Sequence, residues 1–335
     1  MRSVKSGVVV VGIVILMILL VGGCIFDNKP PAAPILAGPP DKKILEDANA
    51  IELSWNKVDD RSGVEYEVQM DNDNTFATPE KEVSKYKDCT IVVTSFKDGI
   101  YYWKVRAIDG AGNVGPWSET RGFWLYNQPP YAHTSGAKVR LSNNFDATDP
   151  TWGRLLEFLK QDKTDENSYR KNMYESSDFA QSLHNNAEAR GIKAAIVRAT
   201  FTGSEPHYLN AFNTTDKGLI YVDCTNTGHR RVEDKVAYIA KGKPYGVMFM
   251  DHLEAGDKPL NDYTYYEESE RKWEVILEEM ERGDWRKDTT WGGILAVMNP
   301  QFSQIMYVAK RAGELQIPTY WLGSLGVVND AEIYW

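Results

Sequence analysis

Two serines stand at the mouth of a helix in "YESSDFAQSLHNNAEARGIKAA", Tyr174 to Ala195. The pattern makes Asp178 the N-cap, with Gln181 three residues on to complete a capping box. Phe179, Leu183 and Ala187 recur every four residues as an apolar face, Gly191 ends the helix, and "IKAAIVRATF" follows as a strand. A side chain just ahead of a buried helix feels the positive end of its dipole. A cysteine in that place is driven toward thiolate, from a free pKa of about 8.5 into the range of about 3.5–7.5. A serine hydroxyl is not ionised that way. It needs a base to remove its proton during attack, and oxyanion donors placed for the shorter oxygen. The plainer role for Ser176 is to satisfy a free backbone N–H of the first helical turn.

Two further residue types fit the same chemistry. His207 lies in the strand-like run "HYLNAF", as a hydrogen-bonded core histidine or as a base. Asp223, in "GLIYVDCT", alternates with apolar neighbours, where an unpaired carboxylate would be costly and a histidine partner would remove the cost. If Asp223 faces His207, Cys224 faces the other side of the strand and is no substitute nucleophile. His133, His184, His229 and His252 show no ligand spacing to one another, and "DHLEAGD" around His252 reads as a solvated loop. In "DNDNTFATPEKE", Asp71, Asp73 and Glu82 fall at positions 1, 3 and 12 of a calcium loop. Phe76 stands where that loop requires glycine and no helices flank it, so the stretch is a strand connection. No metal and no cofactor are expected.

The elements around these residues fall into two kinds. From about Pro34 to Leu125 the chain reads as short strands, "IELSW", "VEYEVQM", "TIVV" and "YYWKVRA", separated by Gly, Asn and Asp turns. That spacing suits an antiparallel sandwich. A proline pair in "YNQPPYAHTSG" marks a boundary near residue 130. Beyond it, "DPTWGRLLEFLKQ" is a capped helix with Trp152, Leu155, Leu156 and Leu159 inward, and helices followed by antiparallel strands indicate an α+β domain. "YYEESERKWEVILEEMERG" is amphipathic, with Trp273, Ile276, Leu277 and Met280 on one side and Glu267–Arg271 and Glu268–Lys272 pairs on the other. "WGGILAVMNPQFSQIMYVAKRAGELQIP" reads as a strand and then a helix after Pro300.

Trp55 early in the sheet, Tyr101 six residues before Ala107, and "DGAGNVGPWS" behind them make the first region similar to a fibronectin type III domain. The resemblance places Tyr101 at the tyrosine corner, its hydroxyl tying down a loop. In the second region "SDFA" with "GIKAA", then "HYLNAF", then "YVDCT", fall in the order of the transglutaminase-like superfamily. The family's helix carries Cys, any residue, an acidic residue, an apolar one and Ala. The match spans Trp152 to near Gly228, and the remainder up to "NDAEIYW" resembles the C-terminal extension of exported prokaryotic members. The resemblance implies a papain-like fold in which a Cys–His–Asp triad attacks an amide carbonyl and passes the acyl group to an amine or to water. It puts His207 in the place of the general base and Asp223 in that of its orienting carboxylate. The nucleophile's place belongs to Ser176, where the family has cysteine.

The chain has 335 residues and is 42% hydrophobic, enough for two domains with two cores. A net charge of −9 argues against nucleic acid as a partner. "MRSVKS" followed by the apolar run Gly7–Gly23 is an export signal or a membrane anchor. "VGGC" resembles the lipobox of exported lipoproteins, in which Cys24 would be lipidated. Either way the globular part lies outside the membrane. Cys89 and Cys224 fall in different domains, read as small buried side chains, and form no disulfide framework. Asn213-Thr-Thr fits a glycosylation sequon.

The sequence thus predicts a multidomain chain. A leader occupies 1–26, a proline-rich tether 27–33, a fibronectin type III-like sandwich 34–126, a linker 127–137, and a transglutaminase-like α+β domain with its extension 138–335. Three functions stand open: a degenerate enzyme binding peptide or protein, a serine amidase, protease or acyl transferase using Ser176, His207 and Asp223, and a purely structural cell-surface module.

Overall fold

A computed structural model describes residues 27–226, 234–250, 262–286 and 325–335, with a few helical positions between 307 and 314. The leader with Cys24, the stretches 227–233 and 251–261 with His229 and His252, and most of the stretch from Trp291 to Pro318 lie outside the described residues. Among the described residues no helix is long and apolar enough to cross a membrane. The chain divides into two compact units between Asn127 and Gln128.

The first unit is a β-sandwich of nine strands: β1 (Leu36–Gly38), β2 (Lys43–Glu46), β3 (Ala50–Trp55), β4 (Val64–Asp71), β5 (Lys81–Tyr86), β6 (Thr90–Thr94), β7 (Gly99–Asp109), β8 (Val114–Trp117) and β9 (Arg121–Tyr126). One sheet runs β1-β3-β6; the other runs β2-β9-β7-β4-β5, with β8 also paired to β7. Alternation explains the core: Ile51, Leu53 and Trp55 from β3 and Tyr101, Trp103, Val105 and Ala107 from β7 all turn inward and are buried. Tyr101 Oη donates to the Lys97 carbonyl at 3.1 Å and ties down the turn before its own strand. Residues 72–80 connect β4 to β5, with Asp73 accepting from the Thr75 amide and hydroxyl. Cys89 is half-buried rather than buried, its thiol 3.7 Å from Tyr66 Oη.

The second unit is an α+β layer. Helices α1 (Trp152–Gln161) and α2 (Ser176–Ala189) precede β10 (Ala195–Phe201), β11 (Ser204–Thr214), β12 (Gly218–Asp223), β13 (Lys235–Tyr238) and β14 (Gly246–Phe249). Helix α3 (Tyr263–Glu281) follows, and the strand β15 (Val328–Tyr334) ends the chain. The sheet runs β14-β13-β12-β11-β10-β15 with every neighbouring pair antiparallel, so the last residues form the edge strand beside β10. One face carries Phe212, Ile220, Val222, Val236 and Tyr238 against α1 and α2. The other carries Ala195, Val197, Ala199, Leu209, Ala211, Tyr245 and Val247.

Three expectations are corrected here. Glu175, not Asp178, is the N-cap of α2: its side chain accepts from the Asp178 amide while Asp178 Oδ2 accepts from the Glu175 amide at 2.9 Å. This capping box pulls the helix start back three residues, and Ser176 becomes its first residue rather than a residue ahead of it. Residues 131–137, placed in a linker, form a short hairpin of the second unit together with Lys138 and Val139, with His133 N–H on Ala137 O at 2.8 Å and Val139 N–H on Tyr131 O at 3.0 Å. In α3 the buried positions are Tyr266, Ser269, Trp273 and Ile276, and Leu277, expected on the same side, is 50% exposed.

Candidate functional site

Ser176 opens α2 and is buried, and its Oγ accepts the Tyr208 N–H at 3.2 Å. The geometry follows from where two strands part. The β11–β12 ladder runs no further than the Asn210–Val222 pair, so Tyr208, two residues outward, has no β12 partner for its amide. The helix mouth fills that vacancy with a hydroxyl. Ser176 thus touches β11 one residue from His207, yet forms no hydrogen bond with the imidazole.

His207 and Asp223 are brought together by register. Ala211 lies opposite Tyr221, so the odd-numbered residues of β11 and β12 share a face, and His207 Nε2 is 2.9 Å from Asp223 Oδ2. The same oxygen accepts from Tyr245 Oη at 2.9 Å, and Oδ1 accepts from the Thr225 N–H at 2.9 Å. Burial works against ionising Asp223, but the charges of His207 and Lys235 and these hydrogen bonds outweigh it, holding the carboxyl well below the usual carboxylate range. An ionised carboxylate only accepts, so His207 Nε2 is the donor of this pair. Burial, followed by the neighbouring Asp223 charge, pushes the Tyr245 phenol well above its ordinary value, so it stays a donor. Lys235 is buried as well, and its Nζ donates to the Thr225 carbonyl at 2.8 Å. Cys224 points to the opposite face, against the Phe179 carbonyl, with its thiol pushed far up by burial and by Asp234.

Two contributors were missed at the level of sequence. Tyr245 belongs to no local motif and reaches Asp223 only because β13 and β14 fold back beside β12. His133 sits on the hairpin taken for a linker. Its Nδ1 is 2.9 Å from Ser177 Oγ and 3.3 Å from Asp178 Oδ1, and its Nε2 is 3.1 Å from Gln181 Oε1. That amide oxygen also accepts the Arg140 N–H at 2.7 Å, so Nε2 is the donor. The turn residues "HTSG" mark a hairpin, but nothing in them says that it docks on α2.

His184, within α2, is fully buried, and burial brings its pKa down to about 4. Among the described residues one acidic group, Asp27, Asp60 and Asp109 in the first unit, brings its oxygens within 4.8 Å of one another. Asp109 is already taken by the Ala111 and Asn113 amides and the Asn113 side chain.

No protein-family profile and no curated protein matches the chain. Among solved structures, a Fn3-like protein from Clostridium thermocellum is 17% identical, with 31% of this chain and 95% of that one covered and a TM-score of 0.21. The fibronectin type-III domain of human fibronectin type III domain containing protein 3 is 20% identical, covering 31% and 93%, with a TM-score of 0.22. The PKD domain of human KIAA0319 is 14% identical, covering 33% and 95%, with a TM-score of 0.23. These are likenesses to β-sandwich domains alone.

Proposed function

We propose that this protein is a membrane-tethered, extracytoplasmic surface module that does not catalyse amide chemistry. In this reading the sandwich is a spacer and the α+β unit is a transglutaminase-like, papain-like scaffold that has lost its nucleophile. The observation that carries the proposal is the state of Ser176, whose oxygen caps the Tyr208 amide and makes no hydrogen bond to His207. A serine nucleophile has no pre-formed anion and needs its proton held by the base. The leader, with Cys24 as the lipidated residue or the apolar run as an anchor, supplies the tether.

A second reading, in which the degenerate site still binds a peptide or protein, draws on the His207–Asp223–Tyr245 network. A buried carboxylate that serves to orient one imidazole fits a former cysteine site better than a plain structural sheet.

One experiment separates these from a working serine enzyme. Ser176→Cys puts a thiol at the helix mouth, on the Tyr208 amide one residue along β11 from His207. It is expected to react with iodoacetamide near pH 6 faster than Cys89 or Cys224, because its pKa is depressed there. Wild type is expected to leave a fluorophosphonate probe unreacted and peptide amides uncleaved. Labelling of wild-type Ser176 by the fluorophosphonate would overturn the proposal. A Ser176→Cys thiol no more reactive than Cys224 in a folded protein would remove the transglutaminase-like derivation and leave the structural module.

A further inference from the structure

Asn213-Thr214-Thr215 is the single Asn-x-Ser/Thr stretch in the chain, and its middle residue is not proline. Such a triplet usually means little, because it arises often by chance and is often buried. Here the structure presents it. Asn213 is the penultimate residue of β11, and the strand there has outrun β10, whose pairing begins at the Ala195–Ala211 pair. Asn213 is paired on one side only, to Leu219 of β12. Alternation turns Thr214 inward, where its hydroxyl donates to the Gly218 carbonyl at 2.8 Å. The acceptor amide of Asn213 and the hydroxyl-bearing Thr215 both remain exposed. Asn213 Nδ2 donates to Asp149 Oδ2 at 2.9 Å, and a glycosylated amide keeps one N–H donor. His207 lies six residues earlier on the same strand, about 20 Å away at roughly 3.3 Å per residue, so a glycan at Asn213 leaves the His207–Asp223 pair uncovered.

We propose that Asn213 is an N-glycosylation site of the mature protein. The donor is a glycan linked through phosphate to a polyprenol, a membrane-bound class of sugar donor. The Asn213 amide nitrogen forms a bond to the anomeric carbon, the bond from that carbon to the phosphate oxygen breaks, one amide proton passes to the transferase, and the polyprenyl phosphate leaves. No electrons change hands. The proposal rests on the extracytoplasmic reading above, since the acceptor must meet a donor displayed outside the cytoplasm.

The test uses the full chain purified from the membranes of its source cells, digested, with the peptide containing Asn213 weighed by mass spectrometry. Protease accessibility of the protein on intact cells is measured in parallel. Wild type should carry a glycan mass on Asn213 that is absent from Asn213→Gln and Thr215→Ala and retained in Thr215→Ser. An externally accessible protein with an unmodified Asn213 overturns the glycan and leaves the surface reading in place. A protease-protected protein with an unmodified Asn213 overturns both.

Discussion

Asp223 decides what its neighbours are. Nearly all of its surface is buried, and it stays ionised because an imidazole, a phenol and a backbone amide converge on it while the Lys235 ammonium lies close by. His184 is the opposite case, a histidine in an interior that offers its ring no opposing charge. Its folded pKa of about 4 lies below the ordinary 6.5, so the unfolded chain takes up a proton first as pH falls. The stability tied to His184 is therefore complete above about pH 6.5 and lost as pH falls toward 4, to the extent of ~3 kcal/mol. Asp223 adds a loss of the same sign at lower pH, below the ordinary carboxylate range. Urea midpoints followed from pH 7 to 4.5 should fall steeply for wild type and much less for His184→Leu. Parallel curves would show that His184 is not the group responsible.

At the scale of elements, α2 carries most of the site, and its start is built with care for backbone donors. Glu175 and Asp178 exchange backbone–side-chain hydrogen bonds, Ser176 takes the Tyr208 amide, and Ser177 meets His133. The far end closes on Gly191 at φ 70°, with the Ile192 and Gly191 amides on the Ala187 and Glu188 carbonyls. Phe179, Leu183 and Ala187 between these ends are completely buried. Replacing Glu175 with Ala should cost about 1 kcal/mol through the lost cap. Asp178→Ala should cost more, because it removes a bond to the Glu175 amide and the acidic neighbour of His133 at once. Equilibrium urea unfolding of the second unit, followed by circular dichroism, measures both. Equal and negligible losses would show that the helix start is held by its apolar face alone.

At the scale of the molecule, each unit has a core of its own. The sandwich encloses Leu53, Trp103, Val105 and Phe123 without a side chain from beyond Asn127, and α1 and α2 cover one face of the six-stranded sheet. A fragment comprising residues 27–127 is accordingly expected to unfold in one cooperative transition. Circular dichroism and the fluorescence of Trp55 and Trp103 would report it. A fragment that lacks a sigmoidal transition would show that the sandwich depends on the rest of the chain.

Periodicity was enough to mark the sandwich strands, α1, α2 and the strands around His207 and Asp223. Alternation at two residues and repeats at three and four are local properties of the chain. The pairing of Asp223 with a histidine was also legible, because an isolated carboxylate among apolar neighbours demands a partner. Other features depended on residues far apart in the sequence. The N-cap of α2 was chosen by competition between Glu175 and Asp178, two carboxylates either of which could serve. Tyr245 reached Asp223 through strand order, and the hairpin with His133 docked on α2 although its prolines and glycine suggested a linker. The role of Ser176 turned on strand length: the β11–β12 ladder ends at the Asn210–Val222 pair, Tyr208 still has an amide to satisfy, and the hydroxyl at the helix mouth answers that amide.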